Sequence, residues 1–137
     1  MDVLIVDDEK DILRSLKTFL EMEGYHVTTT DNSTDAIERF ERNGYNIVLL
    51  DINMPEIDGL ELLERILSID YHTEVIMMTG FNSLDKVFEA RELGASEYML
   101  KPFDDMDSVG EIAGHARDRV KRWNRAFEQG LLESSNA

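Results

Sequence analysis

Short apolar runs recur along the chain, and between them the apolar residues are spaced three and four positions apart. The clearest run lies at residues 47–50, where four consecutive apolar residues precede Asp51. A continuous run of this length predicts a strand buried on both faces, as in a parallel sheet. From such runs and from β-branched content we predict five strands, within residues 3–6, 25–30, 47–50, 74–78 and 97–100.

The segments between these strands carry the signals of helices. Residues 12–20, for example, place apolar side chains on one helical face. A last, long helix is predicted from about Met106 onward. Residues that favour helix ends bound the other segments: Asn32 or Ser33 at one start, the Asp58 and Glu61 pair typical of a capping box at another, and Gly24, Asn43-Gly44 and Gly94 at helix ends.

Strands and helices therefore alternate five times, with no repeat or low-complexity tract. Alternation with short connections predicts a parallel sheet covered by helices on both faces, because right-handed crossovers place helices on either side. The fold class is thus α/β, a doubly wound five-stranded parallel sheet, and we expect no second domain.

Length, charge and cysteine content restrict the classes of partner that the chain could bind. Its 137 residues suit one domain, and 14 Lys and Arg against 29 Asp and Glu give a formal net charge of -15. Such a surface repels phosphate backbones and anionic membranes, so nucleic-acid binding by this chain alone and membrane association are disfavoured. The lack of cysteine excludes disulfides and thiolate chemistry and fits a reducing, cytoplasmic compartment. We expect no signal peptide or membrane span.

Polar residues stand where four of the predicted strands end. They are Asp7 and Asp8, Asp51, Thr79 and Lys101. Parallel strands share one carboxyl edge, so these side chains should converge there. Three neighbouring carboxylates need a cation, and oxygen ligands without His or Cys favour Mg²⁺, Mn²⁺ or Ca²⁺ over zinc. A metal, an ammonium and a hydroxyl around one carboxylate are the groups needed to receive a phosphoryl group.

With these residues in place, the chain resembles the receiver domains of bacterial two-component response regulators, the CheY-like superfamily. The resemblance covers roughly residues 2 to 125, nearly the whole predicted core. The motifs that carry it are the Asp7-Asp8 pair, Asp51 with Met54-Pro55 and Asp58-Gly59, Thr79-Gly80, and Tyr98 ahead of Lys101-Pro102-Phe103.

The resemblance implies a flavodoxin-like fold of strand order 2-1-3-4-5 and a phosphorelay function. Asp51 would accept phosphate from the phosphohistidine of a sensor histidine kinase or a histidine phosphotransfer protein. Asp8 and Asp51 would ligate Mg²⁺, or Mn²⁺ as a substitute, together with the backbone carbonyl of Asn53. Asp7 would act through metal-bound water. The chain would catalyse only its own phosphotransfer and autodephosphorylation.

The resemblance also assigns the phosphate contacts and the switch. Lys101 and Thr79 would each bind a phosphoryl oxygen, and Gly80 would allow close approach of the phosphate. Thr79 and Tyr98 would form the switch, with Tyr98 turning inward as Thr79 moves. The Lys101–Pro102 peptide is expected to be cis.

Two positions depart from the usual pattern of the family. Gly80 stands where Ala or Ser is more frequent, and Phe81 is bulky where many relatives carry a polar residue. The first position bears on the stiffness of the loop after Thr79, and the second on the lifetime of the phosphorylated state.

Two other classes of function use some of the same residues as a signalling receiver. A phosphatase using Asp51 as its nucleophile would need a second acid two residues on, and Asn53 stands there. A phosphorylation-independent interaction module would be indicated by loss of the metal acids, Asp51 or Lys101, and all of these are present. A receiver is therefore the favoured prediction.

The predicted last helix extends beyond the predicted core. We divide the chain into a receiver of residues 1–125 and a C-terminal extension of residues 126–137, which could begin a linker to a fused output domain. From Ala113 onward, apolar residues fall on a heptad, which favours weak self-association through this helix. Back-packing of the outer members onto the domain itself is the alternative. The heptad residues are Ala113, Ala116, Val120, Trp123, Phe127 and Leu131.

Overall fold

The computed structural model describes residues 1–103 and 105–136. Five strands alternate with five helices, as predicted. The strands are β1 (Asp2–Val6), β2 (His26–Thr30), β3 (Ile47–Asp51), β4 (Glu74–Thr79) and β5 (Glu97–Leu100). The helices are α1 (Lys10–Met22), α2 (Ser33–Asn43), α3 (Gly59–Ile69), α4 (Leu84–Leu93) and α5 (Met106–Asn136), and a 3-10 turn (Phe81–Ser83) precedes α4.

The strands form one parallel sheet in the order β2-β1-β3-β4-β5, so the predicted fold and strand order are confirmed. β1 lies between β2 and β3 in register, with Leu4 opposite Thr28 on one side and Val48 on the other. The order reverses between β1 and β3. A ligand crevice is expected at the carboxyl ends of these two strands, where the first crossovers leave the sheet in opposite directions.

Successive residues of the central strands point to opposite faces and build two separate cores. On one face, Val3, Ile5 and Leu49 pack with α1 and α5. On the other face, Leu4 and Val48 pack with α2, α3 and α4. The period of two explains why β1 and β3 are apolar throughout, because neither face meets water.

The helix ends follow the sequence signals with one exception. Asn32 caps α2 by accepting a hydrogen bond from the backbone N–H of Asp35, and Asp58 caps α3 by accepting from the N–H groups of Leu60 and Glu61. The second hydrogen bond of the expected capping box, from the backbone N–H of Asp58 to the Glu61 carboxylate, was predicted wrongly. The Glu61 carboxylate instead pairs with Arg65 one turn along the helix, at 3.1 Å.

The two helices nearest the carboxyl end of the chain are less enclosed than α1, α2 and α3. In α4, Ala90 is buried, whereas Phe88 is 75% exposed, although Leu84, Val87 and Phe88 have the spacing of an apolar helix face. In α5, the inner face is buried as far as Val120. Beyond Val120 the helix continues without interruption through residues 125 and 126, so helix geometry marks no boundary there.

Candidate functional site

The crevice at the carboxyl ends of β1, β3, β4 and β5 brings together the residues that the sequence placed at strand ends. Asp7 directly follows β1, Asp51 and Thr79 end β3 and β4, and Lys101 directly follows β5. Asp7, Asp51 and Thr79 are buried, whereas Asp8 is exposed. The site therefore has a buried acidic floor with one carboxylate at its mouth.

Lys101 joins the carboxylates of this floor. Its Nζ lies 2.7 Å from Oδ2 of Asp7, 3.4 Å from Oδ2 of Asp51 and 3.3 Å from Oε1 of Glu9. Only 13% of the Lys101 side chain is exposed, so its ion pairs with the buried Asp7 and Asp51 are poorly screened by water. The ammonium therefore holds a position from which it can contact a group on the Asp51 carboxylate.

Asp7, Asp8 and Asp51 form a cluster that could bind a metal ion. One carboxylate oxygen from each lies within 4.8 Å of the other two. Lys101 offsets only part of their negative charge, because it carries one positive charge against three. Oxygen ligands of this kind suit a hard divalent cation.

The electrostatics of the floor favour added positive charge. Burial, together with the neighbouring charge of Asp7, raises the pKa of Asp51 to about 6. Burial also raises the pKa of Asp7, against the opposing hydrogen bond from Lys101. For Lys101, burial acts to lower the pKa, but the hydrogen bond to Asp7 and the charge of Asp51 outweigh it and the pKa is raised. A cation placed at the cluster would favour the ionised form of Asp51.

The loop from β3 to α3 is fixed close against Asp51. The N–H of Gly59 donates a hydrogen bond to the carbonyl of Ile52, at 2.9 Å. A Cβ at Gly59 would lie 2.4 Å from the carbonyl oxygen of Asp51, so only glycine fits this position. The buried Ser33 hydroxyl donates to the carbonyls of Ile57, at 2.8 Å, and Pro55, at 3.3 Å. The start of α2 thus holds the same loop from the other side.

Asn53 connects Asp51 to α4. Its backbone N–H donates to Oδ1 of Asp51 at 3.2 Å. Its side-chain amide donates to Oγ of Ser83 at 2.6 Å and accepts from Nζ of Lys86 at 3.3 Å. The residue that the resemblance assigns as a backbone metal ligand therefore also contacts the first turn of α4 through its side chain.

The two predicted switch residues differ in burial. The Thr79 hydroxyl is buried and donates to the carbonyl of Gly80 at 3.1 Å. Tyr98 is 47% exposed, so its ring faces outward. The Lys101–Pro102 peptide is cis. The side chain of Phe81 lies outside the described part of the structure.

Sequence reasoning missed four residues that shape the site: Glu9, Ser33, Ser83 and Lys86. Glu9 carried a signal, because it directly follows the acidic pair. Ser33 was one of two candidate caps of α2, and no pattern in the sequence singled out Ser83. The hydroxyls of both residues contact loops that are distant in sequence. These contacts depend on loop paths, which no local pattern specifies.

Comparison with known proteins accounts for this arrangement. Residues 3–113 match the family model described as the response regulator receiver domain. The chain belongs to this family. As a receiver domain of a two-component response regulator, it has a role in signalling, and a sensor kinase is the implied partner.

Individual relatives agree with this assignment. The receiver domain is 37% identical over 121 residues to sporulation initiation phosphotransferase F of Bacillus subtilis, covering 88% of this chain and 91% of that protein. It is 37% identical over 134 residues to the regulatory protein AtoC of Escherichia coli, covering 96% of this chain and 29% of that protein. The crystal structure of the receiver domain of NtrX from Brucella abortus superposes with a TM-score of 0.80 at 30% identity, covering 84% of this chain and 97% of that one.

Many relatives are longer than this chain, which spans about half or less of several of them. AtoC and NtrX, for example, extend well beyond the matched receiver domain. Within residues 1–103 and 105–136, none of the helices combines the length and apolar character needed to cross a bilayer.

Proposed function

We propose that Asp51 is the phosphoryl acceptor of this receiver domain. One observation carries the proposal: Asp51 ends the central strand with its carboxylate 3.4 Å from the Lys101 ammonium and clustered with the carboxylates of Asp7 and Asp8. The acceptor would thus have a fixed cation and a place for a metal beside it. The direct test is Mg²⁺-dependent formation of an aspartyl phosphate from acetyl phosphate.

In the proposed reaction, an oxygen of the ionised Asp51 carboxylate attacks the phosphorus of a phosphohistidine on the partner. The new O–P bond forms as the P–N bond breaks, and the electron pair of that bond stays on the imidazole nitrogen. The Lys101 ammonium would pair with one phosphoryl oxygen as negative charge develops there. The Thr79 hydroxyl would donate a hydrogen bond to a second phosphoryl oxygen. Gly80 offers no side chain that would obstruct the phosphate.

The acidic cluster is proposed to hold Mg²⁺, with Mn²⁺ as a substitute. Asp8, Asp51 and the backbone carbonyl of Asn53 would be the ligands, and Asp7 would act through metal-bound water. Bound Mg²⁺ would supply positive charge to the phosphoryl oxygens during transfer. The exposure of Asp8 leaves a route for the ion to enter from solvent.

We expect Mg²⁺ to stabilise the folded chain, and more strongly at pH 7.5 than at pH 5. At ten times its Kd, a ligand that binds only the folded state adds about 1.4 kcal/mol, or about 4 °C in Tm for a domain of this size. The pKa of Asp51 is raised to about 6, so at pH 5 the proton must be displaced before the metal binds. Thermal melts at low salt, with Na⁺ of matched ionic strength as the control, measure the effect. A Tm that does not respond to millimolar Mg²⁺ at pH 7.5 contradicts the metal site.

The signalling partner is proposed to be a sensor histidine kinase or a histidine phosphotransfer protein, with no nucleic-acid binding by this chain. The net charge of -15 supports the second part. Asn53, two residues after Asp51, provides no general acid, which supports catalysis limited to the chain's own phosphotransfer and autodephosphorylation. A chain without cysteine fits the reducing cytoplasm, where we place the reaction.

Thr79 and Tyr98 are proposed to form the switch. In the structure the Thr79 hydroxyl is satisfied by the Gly80 carbonyl, while the Tyr98 ring stands half-exposed beside Leu84, Val87 and Phe88 of α4. These residues line a groove of about 680 Å³. Movement of Thr79 toward a phosphoryl oxygen would free space behind it, and Tyr98 could then turn inward.

A stable phosphate analogue is expected to shift backbone amide signals throughout residues 79–103. The physical cause is one hydroxyl moving to a charged acceptor, worth roughly 1.5–3 kcal/mol, which is enough to change the balance between two packings. Amide spectra recorded with and without beryllofluoride and Mg²⁺ provide the measurement. Shifts confined to the residues that touch the analogue would rule out this switch.

The extension of α5 is proposed to mediate weak self-association or to lead into an output domain, following the division at residue 125. Trp123 is 56% exposed, and its ring lies beside that of His72, with ring centroids 5.3 Å apart. Phe127 is 70% exposed, which argues against full back-packing onto the domain. Exposed aromatic residues in a row on one helix are typical of a contact surface.

Replacing both Trp123 and Phe127 by Ala should abolish any concentration-dependent dimer. Because both side chains are already largely exposed, the Tm should change by no more than a few degrees. Sedimentation velocity over a range of concentrations compares the wild type with this variant. Met22→Ala, which removes an apolar side chain of α1 that is 82% exposed, is the control. A wild type that stays monomeric at high concentration, with a strongly destabilised double variant, would favour back-packing.

A further inference from the structure

A series of hydrogen bonds connects Asp51 to Thr79 through Ser83, the residue that directly precedes α4. The N–H of Asn53 donates to Asp51, and the side-chain amide of Asn53 donates to the Ser83 hydroxyl at 2.6 Å. The N–H of Ser83 in turn donates to the carbonyl of Gly80 at 3.1 Å. That same carbonyl accepts the Thr79 hydroxyl, also at 3.1 Å. Acceptor and switch residue are therefore joined by consecutive contacts.

Ser83 is placed unusually for the first residue before a helix. A serine at this position normally accepts a hydrogen bond from a backbone N–H of the first turn, which stabilises the helix. The Ser83 side chain makes no such bond, and it is buried. Its hydroxyl oxygen is instead occupied by the amide of Asn53. The bond therefore serves the contact between the β3–α3 loop and α4, not the capping of α4.

The contact matters because little of α4 is buried, although Val87 and Leu93 pack against the core. Ala90 is its one fully buried residue among those described, and Phe88 lies mostly in solvent. Lys86 adds a second bond to the same amide, from Nζ to Oδ1 of Asn53 at 3.3 Å. Both polar ends of the Asn53 side chain thus hold the first turn of α4.

We propose that Ser83 is a positioning residue, which holds α4 in the resting arrangement through Asn53 and so opposes phosphorylation. When the Thr79 hydroxyl leaves the Gly80 carbonyl for a phosphoryl oxygen, Gly80 can shift, and Ser83, whose N–H donates to that carbonyl, would shift with it. The Asn53–Ser83 bond, formed in the resting arrangement, would then be lost. This inference rests on the proposed function of Asp51 and Thr79.

A bond present only in the resting state lowers the affinity for whatever stabilises the other state. Ser83→Ala removes this bond without changing charge. We therefore expect it to bind beryllofluoride, at saturating Mg²⁺, roughly three- to tenfold more tightly than the wild type, the range that one neutral hydrogen bond is worth. Ser68→Ala is the matched control, because the Ser68 hydroxyl bonds only within α3, to the Arg65 carbonyl.

A double-mutant cycle separates this role from a general loss of structure. Asn53→Ala keeps the backbone and removes both side-chain bonds, so it should tighten analogue binding at least as much as Ser83→Ala. The double variant should bind no more tightly than Asn53→Ala alone. Without any analogue, Ser83→Ala should also speed hydrogen exchange at residues 84–87 while the Tm stays close to that of the wild type.

The outcomes are distinct. Tighter binding by both single variants, with no further gain in the double variant, supports the proposal. Unchanged or weaker binding by Ser83→Ala, or independent additive effects of the two substitutions, overturns it. A wild type that binds no analogue at all is a failure of the proposed phosphoacceptor, and the exchange rates of α4 then test the positioning role by themselves.

Discussion

Asp51→Asn should abolish the acid-labile, hydroxylamine-sensitive label that acetyl phosphate and Mg²⁺ place on the wild-type protein. The amide lacks the nucleophilic oxygen and contributes no charge to the metal cluster. Intact-mass analysis would show the wild type gaining one phosphoryl group and the variant gaining none. Asp85→Asn, which makes the same chemical change at an exposed position of α4, should label like the wild type.

The same substitution should leave the fold intact or make it more stable at pH 7.5 without metal. The pKa of Asp51 is raised to about 6, so the folded state holds its proton more tightly than the unfolded chain does. Ionising Asp51 therefore costs stability as the pH rises from below 4 to above 6, and the amide avoids this cost. Labelling of Asp51→Asn at the wild-type rate would place the acceptor elsewhere. A variant that is unfolded would show that the carboxylate has a structural role.

Gly59→Ala should destabilise the domain and impair phosphorylation together. The new Cβ would lie 2.4 Å from the carbonyl oxygen of Asp51 and 2.6 Å from Cα of Ile52, both backbone atoms that cannot move aside alone. Overpacking of this kind costs about 1–3 kcal/mol and sometimes more. We expect a Tm lower by several degrees and slower labelling by acetyl phosphate, because the atoms that must shift belong to the acceptor itself.

Gly130→Ala is the control for the Gly59 variant. Gly130 lies in the exposed part of α5, and nothing stands within 4 Å of its would-be Cβ. Alanine favours a helix over glycine by about 1 kcal/mol, so this variant should be equally or more stable and should label normally. Equal Tm values for Gly59→Ala and the wild type would mean that the β3–α3 loop can relax away from Asp51.

The elements of the fold could be predicted because each has a local cause. The apolar runs of β1 and β3 and the caps at Asn32 and Asp58 act within a few residues, and the structure places them as the sequence indicates. The convergence of the site residues then follows from the topology of the sheet. Once the strands are parallel, their ends must meet, and Asp7 and Lys101 approach to 2.7 Å although 94 positions separate them in the sequence.

What the sequence could not supply depends on how loops approach one another. Ser33 looks like a cap of α2, and only the path of the β3–α3 loop brings the carbonyl of Ile57 to its hydroxyl. Lys101 lies closer to Asp7 than to Asp51, and this depends on side-chain geometry. No sequence pattern could tell which of three neighbouring carboxylates lies closest to the ammonium. Phe88 had the right spacing for burial, yet its side chain is 75% exposed on α4 in the described part of the structure.

The continuous helix α5 gives the domain a lever arm. At 1.5 Å per residue, residues 121–136 reach about 24 Å past the last buried turn. A tilt of about 10° where α5 packs against β5 would carry its tip roughly 4 Å sideways, by the same helical rise. Small repacking beside Lys101 and Tyr98, too slight to alter the core, would thus become a displacement that a neighbouring molecule or domain can sense.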